Sequence, residues 1–207
     1  IRDLVRSRGL GDVYKRQGVK RALVIVDLPF GSYQSDPNEA LRSAIRIMKE
    51  SGAHGIKMEG GAEIKDSIIK ILNAGIPVMG HLGVLPQSIK GKFKSTGKTN
   101  HEKRKLLNDS ILLEKSGVFA IVLECIKTST AKQMTERLKI PTIGIGSSVN
   151  CDGQVLVIDD LIGLSQAKFR FVKKYANVTK VIENAVRRYK LDVVKKQFPK
   201  KKHSFNT

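Results

Sequence analysis

The sequence predicts an α/β protein of the TIM-barrel type, a (β/α)8 fold with parallel strands, incomplete at its front end. Short apolar runs alternate along the chain with amphipathic helical patterns, and this alternation favours a parallel sheet with crossover helices. The carboxyl ends of such strands form the ligand-binding edge. Four of the apolar runs carry ionisable residues at or near their ends: VIVDLPF at Val24–Phe30, GIKMEGG at Gly55–Gly61, IPVMGHLG at Ile76–Gly83 and AIVLEC at Ala120–Cys125.

Three strands and two helices are predicted in the first half of the chain. Asp36 can cap the first helix, Pro37 suits its first position, and Glu39 completes a capping box. The second helix carries a stripe of isoleucines at helical spacing. The predicted elements are a strand at Arg21–Asp27, a helix from Pro37 to Gly52, a strand at Gly55–Glu59, a helix from Ile64 to Gly75 and a strand at Pro77–Gly80.

The second half repeats the alternation and closes with helical segments. Residues 18–198 are expected to form a single, partial barrel domain. Residues 1–17 show no sustained strand or helix period and are expected to be a non-native or disordered leader, and residues 199–207 a basic disordered tail. The predicted elements are helices at Asn100–Ser116 and Ser129–Lys139, strands at Ala120–Leu123 and Thr142–Ile145, a short equivalent of an eighth barrel strand at Gly153–Ile158, and helices at Ser165–Tyr175 and Thr179–Phe198.

Composition is that of a globular protein outside the membrane. Of the 207 residues 41% are hydrophobic, yet no apolar run approaches the ~18–20 residues that a membrane helix needs. The two cysteines, Cys125 and Cys151, are too few for a disulfide scaffold and lack the spacing of a zinc site. The sequence therefore predicts a cytoplasmic protein.

The formal charge of +19 raises the question of a nucleic-acid partner. Sixteen of these charges come from residues 1–17, 90–105 and 187–207, so the remaining chain is nearly neutral. None of the three segments interleaves aromatic residues as a base-stacking surface does. No specific nucleic acid is expected as a partner, although a non-enzymatic basic binding module stays open as an alternative function.

Two carboxylates at strand ends are candidate metal ligands. Asp27 ends an otherwise apolar strand, where it would offer a hard oxygen to Mg²⁺, an ion often held by one or two carboxylates and by substrate oxygens. Glu59 would assist directly or through water. The alternative for Asp27 is a cap for the turn that follows it.

Three further residues complete the candidate site. Lys57 shares a strand face with Glu59 and would supply positive charge to an anionic substrate, unless it only pairs with Glu59. His81 would donate to a carboxylate or serve as a structural hydrogen-bonding residue. Glu124 follows four apolar residues, which suits a general base, and its alternative is a salt bridge with Lys57. A metal, a cation and a separate base suit a 2-oxo acid whose enolate the metal stabilises.

These motifs together closely resemble the ketopantoate hydroxymethyltransferase family of pantothenate biosynthesis. The resemblance runs from about Arg21 to Leu164 and implies a (β/α)8 barrel in a cytoplasmic homo-oligomer, typically a decamer. It implies transfer of a one-carbon unit from 5,10-methylenetetrahydrofolate to 3-methyl-2-oxobutanoate, giving 2-dehydropantoate. The motifs, in the family's order, are VDLPFGSY, KMEGG, PVMGHLGVLPQSI, VLECI and IPTIGIGSS…CDGQVLVIDDLIGL.

The resemblance also implies roles for the five candidate residues. Asp27 matches a ligand of Mg²⁺ and substrate, and Glu59 matches a carboxylate associated with Mg²⁺. Lys57 matches a substrate-binding residue, and His81 lies in a matching motif on the substrate side. Glu124 matches the proton acceptor.

The sequence departs from the family in two places. The family has two further strands before the equivalent of Arg21, the second ending in a Gly-Asp-Ser motif that residues 1–20 do not reproduce. The loop at Ser88–Thr99 has several lysines where the family usually has a Gly-Gly-Tyr run. The chain is therefore expected to be an N-terminally truncated member, which leaves its activity as a fragment open. A related lyase acting on 2-oxo acids, of the phosphoenolpyruvate mutase type, is the enzymatic alternative.

Overall fold

The structure is a computed structural model that describes residues 18–89, 94–166 and 168–205. The predicted leader at 1–17, positions 90–93 of the basic loop and the last two residues of the predicted tail lie outside the described residues. The chain divides into two compact units, one up to Val155 and one from Leu156 onwards.

The first unit is built on a curled sheet of six parallel strands that forms a half-barrel. The strands lie side by side in chain order, as the predicted fold class requires. This confirms an α/β fold of the partial TIM-barrel type. The strands are β1 (Ile25–Asp27), β2 (Gly55–Glu59), β3 (Val78–Gly83), β4 (Ala120–Glu124), β5 (Thr142–Ile145) and β6 (Gly153–Gln154).

Helices connect the strands, and their ends follow the predicted capping residues closely. Asp36 accepts hydrogen bonds from the N–H groups of Asn38 and Glu39, and Gly52 ends the first helix with φ 62°. The carboxylate of Glu39 accepts a bond from Ser35 Oγ rather than completing a capping box with Asp36. The helices are α1 (Pro37–Ser51), α2 (Lys65–Asn73), α3 (Asn100–Ser116), α4 (Thr128–Arg137), α5 (Ile158–Leu161) and α6 (Val178–Val194), with 3₁₀ turns at Ala62–Ile64 and Lys201–His203.

The hydrophobic core lies between the sheet and the helices that follow its strands. In β2, Ile56 and Met58 are fully buried in this core. Because alternate residues of a strand face opposite sides, Lys57 and Glu59 face the other side, the interior of the half-barrel. Among the described residues, no helix combines the length and apolar character needed to cross a membrane.

One predicted element was wrong, and two strands have bounds that differ from the predicted ones. No helix forms in the described part of residues 165–175, where the rings of Phe169 and Phe171 stack at 5.5 Å; residues two apart do not face each other on a helix. The strand predicted at Gly153–Ile158 is only two residues long, and Ile158 begins α5. Strand β3 runs on to Gly83, so that His81 lies within the strand rather than after it.

Candidate active site

The strand register brings the five candidate residues to one region of the inner face. Asp27 lies directly opposite Lys57 across the β1–β2 pair. Glu59 lies opposite His81 across β2–β3. Glu124 ends β4 opposite Gly83, two residues beyond His81. Parallel pairing of neighbouring strands thus places all five side chains at the carboxyl edge of the sheet, where barrel enzymes carry their sites.

Lys57 pairs with Asp27 and contacts His81. Its Nζ lies 3.2 Å from Asp27 Oδ1 and 3.4 Å from His81 Nδ1. The partner in the structure is therefore Asp27 rather than Glu59, the alternative raised by the sequence. The Asp27 side chain is 43% exposed and that of Lys57 19%, so the pair lies at the open rim of the site.

His81 lies between the two glutamates and is almost fully buried. Its Nδ1 is 3.8 Å from Glu59 Oε1, and its Nε2 is 3.3 Å from Glu124 Oε2. The contact with Glu124 is close in distance, but Nε2 makes no aligned hydrogen bond in the described residues. Buried polar atoms are nearly always bonded, so this nitrogen is a group that a bound substrate could satisfy. Among the described residues, the basic neighbour of Glu124 is thus His81, and the alternative salt bridge with Lys57 does not form.

The carboxylate of Glu59 is buried and strongly influenced by its neighbours. Burial raises its pKa, because desolvation disfavours the charged form; His81, the N–H of Gln87 and Lys57 act in the opposite direction. Only 6% of the residue is exposed. Glu59 is thus a poorly hydrated carboxyl group held among hydrogen-bond donors.

Two contacts of Glu59 involve residues that the sequence did not assign to the site. The hydroxyl of Tyr33, a fully buried residue, accepts a bond from the backbone N–H of Glu59 at 3.1 Å. The backbone N–H of Gln87 donates to Glu59 Oε2 at 3.1 Å. Burial raises the pKa of Tyr33 to about 12, so its hydroxyl keeps its proton. Tyr33 lies in a loop within the motif VDLPFGSY, and Gln87 lies in a loop within PVMGHLGVLPQSI. Membership of these motifs was the feature of the sequence that could have assigned both residues to the site.

Cys125 follows Glu124 but is not equipped as a nucleophile. Its side chain is buried, and burial together with the charge of Glu124 raises the pKa of the thiol to about 11. The thiolate is the reactive form, so the thiol stays protonated and inert near neutral pH.

The donor set for a metal is small but of the right chemistry for Mg²⁺. In the part of the chain that the structure describes, no group of three or more His, Cys, Asp or Glu residues could hold a metal. Asp27 and Glu59 offer two carboxylates at the carboxyl ends of the neighbouring strands β1 and β2, and the charge of Asp27 acts to raise the pKa of Glu59. Mg²⁺ is often held by one or two carboxylates, with waters and substrate oxygens completing its shell. These two residues fit such a site.

A parallel half-barrel with ionisable side chains at its carboxyl edge is the arrangement of the TIM-barrel class, in which enzymes carry their sites at that edge. The family model for ketopantoate hydroxymethyltransferase matches residues 13–201, and the chain belongs to that family. The 3-methyl-2-oxobutanoate hydroxymethyltransferase of Flavobacterium johnsoniae is 54% identical over 186 residues, covering 88% of this chain and 68% of the relative. The enzyme of the same name from Pelagibacter ubique is 51% identical over 190 residues, covering 92% of this chain and 73% of the relative.

Solved structures support the fold. Orotidine 5'-monophosphate decarboxylase from Methanocaldococcus jannaschii matches with a TM-score of 0.52 at 20% identity, covering 79% of this chain and 76% of the other. A putative lyase/mutase from Burkholderia cenocepacia matches with a TM-score of 0.50 at 13% identity, covering 94% of this chain and 68% of the other. At such low identity the two matches show the fold alone.

Proposed function

We propose that this chain is a 3-methyl-2-oxobutanoate hydroxymethyltransferase that takes its one-carbon unit from 5,10-methylenetetrahydrofolate and forms 2-dehydropantoate for pantothenate biosynthesis. The observation that carries the proposal is the continuous set of contacts from Asp27 through Lys57 and His81 to Glu124. It supports a site in which Lys57 acts as the cation and Glu124 as the general base. The family and the names of the relatives supply the reaction.

Lys57 and His81 bind and orient the substrate in this proposal. A 2-oxo acid is an anion, and Lys57 is the cation that faces the interior of the half-barrel at the site. The side chain of Lys57 is only 19% exposed, so its attraction for a carboxylate is screened less than that of a lysine on the open surface. His81 Nε2, which lacks an aligned partner in the described residues, is available to bond a substrate oxygen.

Glu124 removes the proton from C3 of the substrate. Glu124 is 8% exposed and is the last residue of the buried strand β4, so little water surrounds its carboxylate. Proton transfer by a positioned side chain contributes about 10²–10⁴-fold to a rate. The nearest nitrogen of His81, Nε2, lies 3.3 Å from this carboxylate without an aligned hydrogen bond.

Mg²⁺ is the proposed metal, held by Asp27 with Glu59 beside it. When bound there, the ion would draw electron density from the keto group and make the C3 hydrogen more acidic. The proposed ligands are the partly exposed carboxylate of Asp27, which lies 3.2 Å from the Nζ of Lys57, and the buried carboxylate of Glu59 on the neighbouring strand.

The test is hydrogen exchange at C3 of 3-methyl-2-oxobutanoate, followed by NMR in D₂O with Mg²⁺, in the protein extended at its N-terminus by the two strands that the family has before the equivalent of Arg21. Glu124→Gln should slow this exchange by about 10²–10⁴-fold, because Gln cannot accept the proton. Glu136→Gln, the same substitution on the exposed surface of α4, should leave the rate unchanged. An unchanged rate in Glu124→Gln would show that the base assignment is wrong. Exchange without transfer from methylenetetrahydrofolate would favour the 2-oxo-acid lyase alternative.

We also propose that the protein is a homo-oligomer, as the family resemblance implies. Helix α6 supports this proposal, because none of its side chains is buried in the described structure. An apolar stripe runs along one face at helical spacing. Its members include Val181, Ile182, Val186 and Tyr189, each 48–67% exposed.

A further inference from the structure

Gln87 lies in a tight turn that links two sides of the candidate site. The turn Leu85–Ser88 is closed by a bond from Ser88 N–H to the carbonyl of Leu85 at 3.0 Å. Just before it, Val84 N–H donates to the backbone carbonyl of Glu124 at 2.9 Å. The segment after β3 is therefore attached to β4 at the proton acceptor before it reaches Gln87.

The backbone N–H of Gln87 is not used in closing the turn and donates to Glu59 Oε2 at 3.1 Å. Glu59 is buried, so an N–H bond to its carboxylate is worth more than a similar bond in water. This contact determines where one of the two carboxylate oxygens points. Its geometry depends on the position of the turn.

The side chain of Gln87 fixes the position of the turn. Its Nε2 donates to the carbonyl of Leu28 at 2.9 Å, directly after Asp27 at the end of β1. A carbonyl only accepts hydrogen bonds, so the amide nitrogen must face Leu28 and Oε1 must face the other way. There Oε1 lies 3.3 Å from the hydroxyl of Tyr33, whose single proton is shared between this oxygen and the carbonyl of Glu59 at the same distance. Leu28 and Tyr33 are both fully buried.

We propose that Gln87 is a positioning residue for the reaction, which fixes the carboxylate of Glu59 and locks the end of β1 to the end of β2. The inference rests on the proposed function and adds a residue to it. Gln87 itself acts through Glu59 and through the backbone beside Asp27. Losing the side chain would free the turn, and a displacement of about 1 Å at a reacting group can cost about 100-fold in rate.

The activity test compares Gln87→Ala and Gln87→Glu with Ser88→Ala, an exposed neighbour in the same turn whose side chain makes no hydrogen bond in the described residues. Gln87→Ala should lower kcat by about 10–100-fold, with KM for the 2-oxo acid changed by less than about threefold. Gln87→Glu should also lower kcat, because it places a hydrogen-bond acceptor against the carbonyl oxygen of Leu28, which is itself an acceptor. Ser88→Ala should keep the wild-type kcat.

The second measurement needs no turnover and follows hydrogen exchange of the Gln87 amide by NMR. This N–H should be protected in the wild type and should exchange at least about tenfold faster in Glu59→Ala, which removes its acceptor. If the wild type catalyses no transfer but the amide behaves as expected, the proposed function fails and the contact stands. A wild-type kcat in Gln87→Ala, or an amide indifferent to Glu59→Ala, would overturn the positioning role.

Discussion

Gly61 occupies a position where no larger residue fits. It ends the motif GIKMEGG, and a Cβ built on it would overlap the carboxylate of Asp109 on α3. Asp109 is 6% exposed and accepts bonds from Ala62 N–H and from Lys105 Nζ. The missing side chain therefore lets the backbone after β2 dock on this buried carboxylate, only two residues beyond Glu59.

Gly61→Ala should destabilise the protein by about 1–3 kcal/mol, the usual cost of forcing an extra methyl group into a packed site. The free energy of unfolding from urea titration measures this. Gly153→Ala is the matched control, because the nearest atom to its Cβ belongs to Ile143 at 3.9 Å. Equal losses in the two variants would contradict the contact with Asp109.

The residues of the site were predictable from the sequence, but several of their partners were not. Ionisable groups at the ends of apolar runs marked Asp27, Glu59 and Glu124, and the structure brings them together. The pairing of Lys57 with Asp27 depends on register, which no strand pattern fixes alone. Tyr33 and Gln87 reach Glu59 from irregular loops, where no period indicates which way a side chain points.

At the scale of elements, α3 has the most complete N-terminal cap of the described helices. Thr99 Oγ1 accepts from the backbone N–H of Glu102 at 3.1 Å, and Glu102 Oε2 accepts from Thr99 N–H at 3.0 Å. Lys98 N–H donates to the same oxygen. These N–H bonds lower the pKa of Glu102, and the bond from Thr99 has the largest effect on it. The cap is thus fully formed above the ordinary pKa of a glutamate and weakens as the pH falls through the lowered value.

Thr99→Ala should cost about 1 kcal/mol of stability, because the N–H of Glu102 loses its acceptor at the first turn. Asn100→Ala, one residue further on, is the control. Its exposed side chain makes no hydrogen bond in the described residues, and alanine favours the helix by a few tenths of a kcal/mol. Urea unfolding at neutral pH measures both. A loss in Asn100→Ala as large as in Thr99→Ala would contradict the capping role.

Long elements with clear end signals were predicted best. Helix α3 and strands β2 and β5 have the predicted bounds, since a capping residue or a glycine marks their ends. Strand β1 is shorter than predicted, and β3 is longer. Strand length depends on where a neighbour continues the ladder, and β3 continues because β4 pairs with it as far as Gly83. The apolar residues of 165–175 predicted a helix, but in the structure the rings of Phe169 and Phe171 stack on each other instead.

At the scale of the whole molecule, the positive charge bears on substrate capture rather than on the fold. The formal charge of +19 gives the surface a net attraction for anions. The proposed substrates, a 2-oxo acid and a folate, are both anionic. Within the described residues, the first turns of α3 carry His101, Lys103, Arg104 and Lys105, of which Lys105 is neutralised by Glu63 and Asp109.

The apolar stripe of α6 leads to a prediction about assembly. A helix that buries none of its side chains leaves Val181 and Val186 exposed to water, and such a stripe is stabilised when a second copy covers it. Val186→Glu would place a charge in that contact and should shift the protein to smaller species. Asn184→Glu introduces the same charge on the opposite side of the helix and should leave the assembly unchanged. Light scattering coupled to size exclusion gives the masses, and a monomeric wild type would contradict the proposed oligomer.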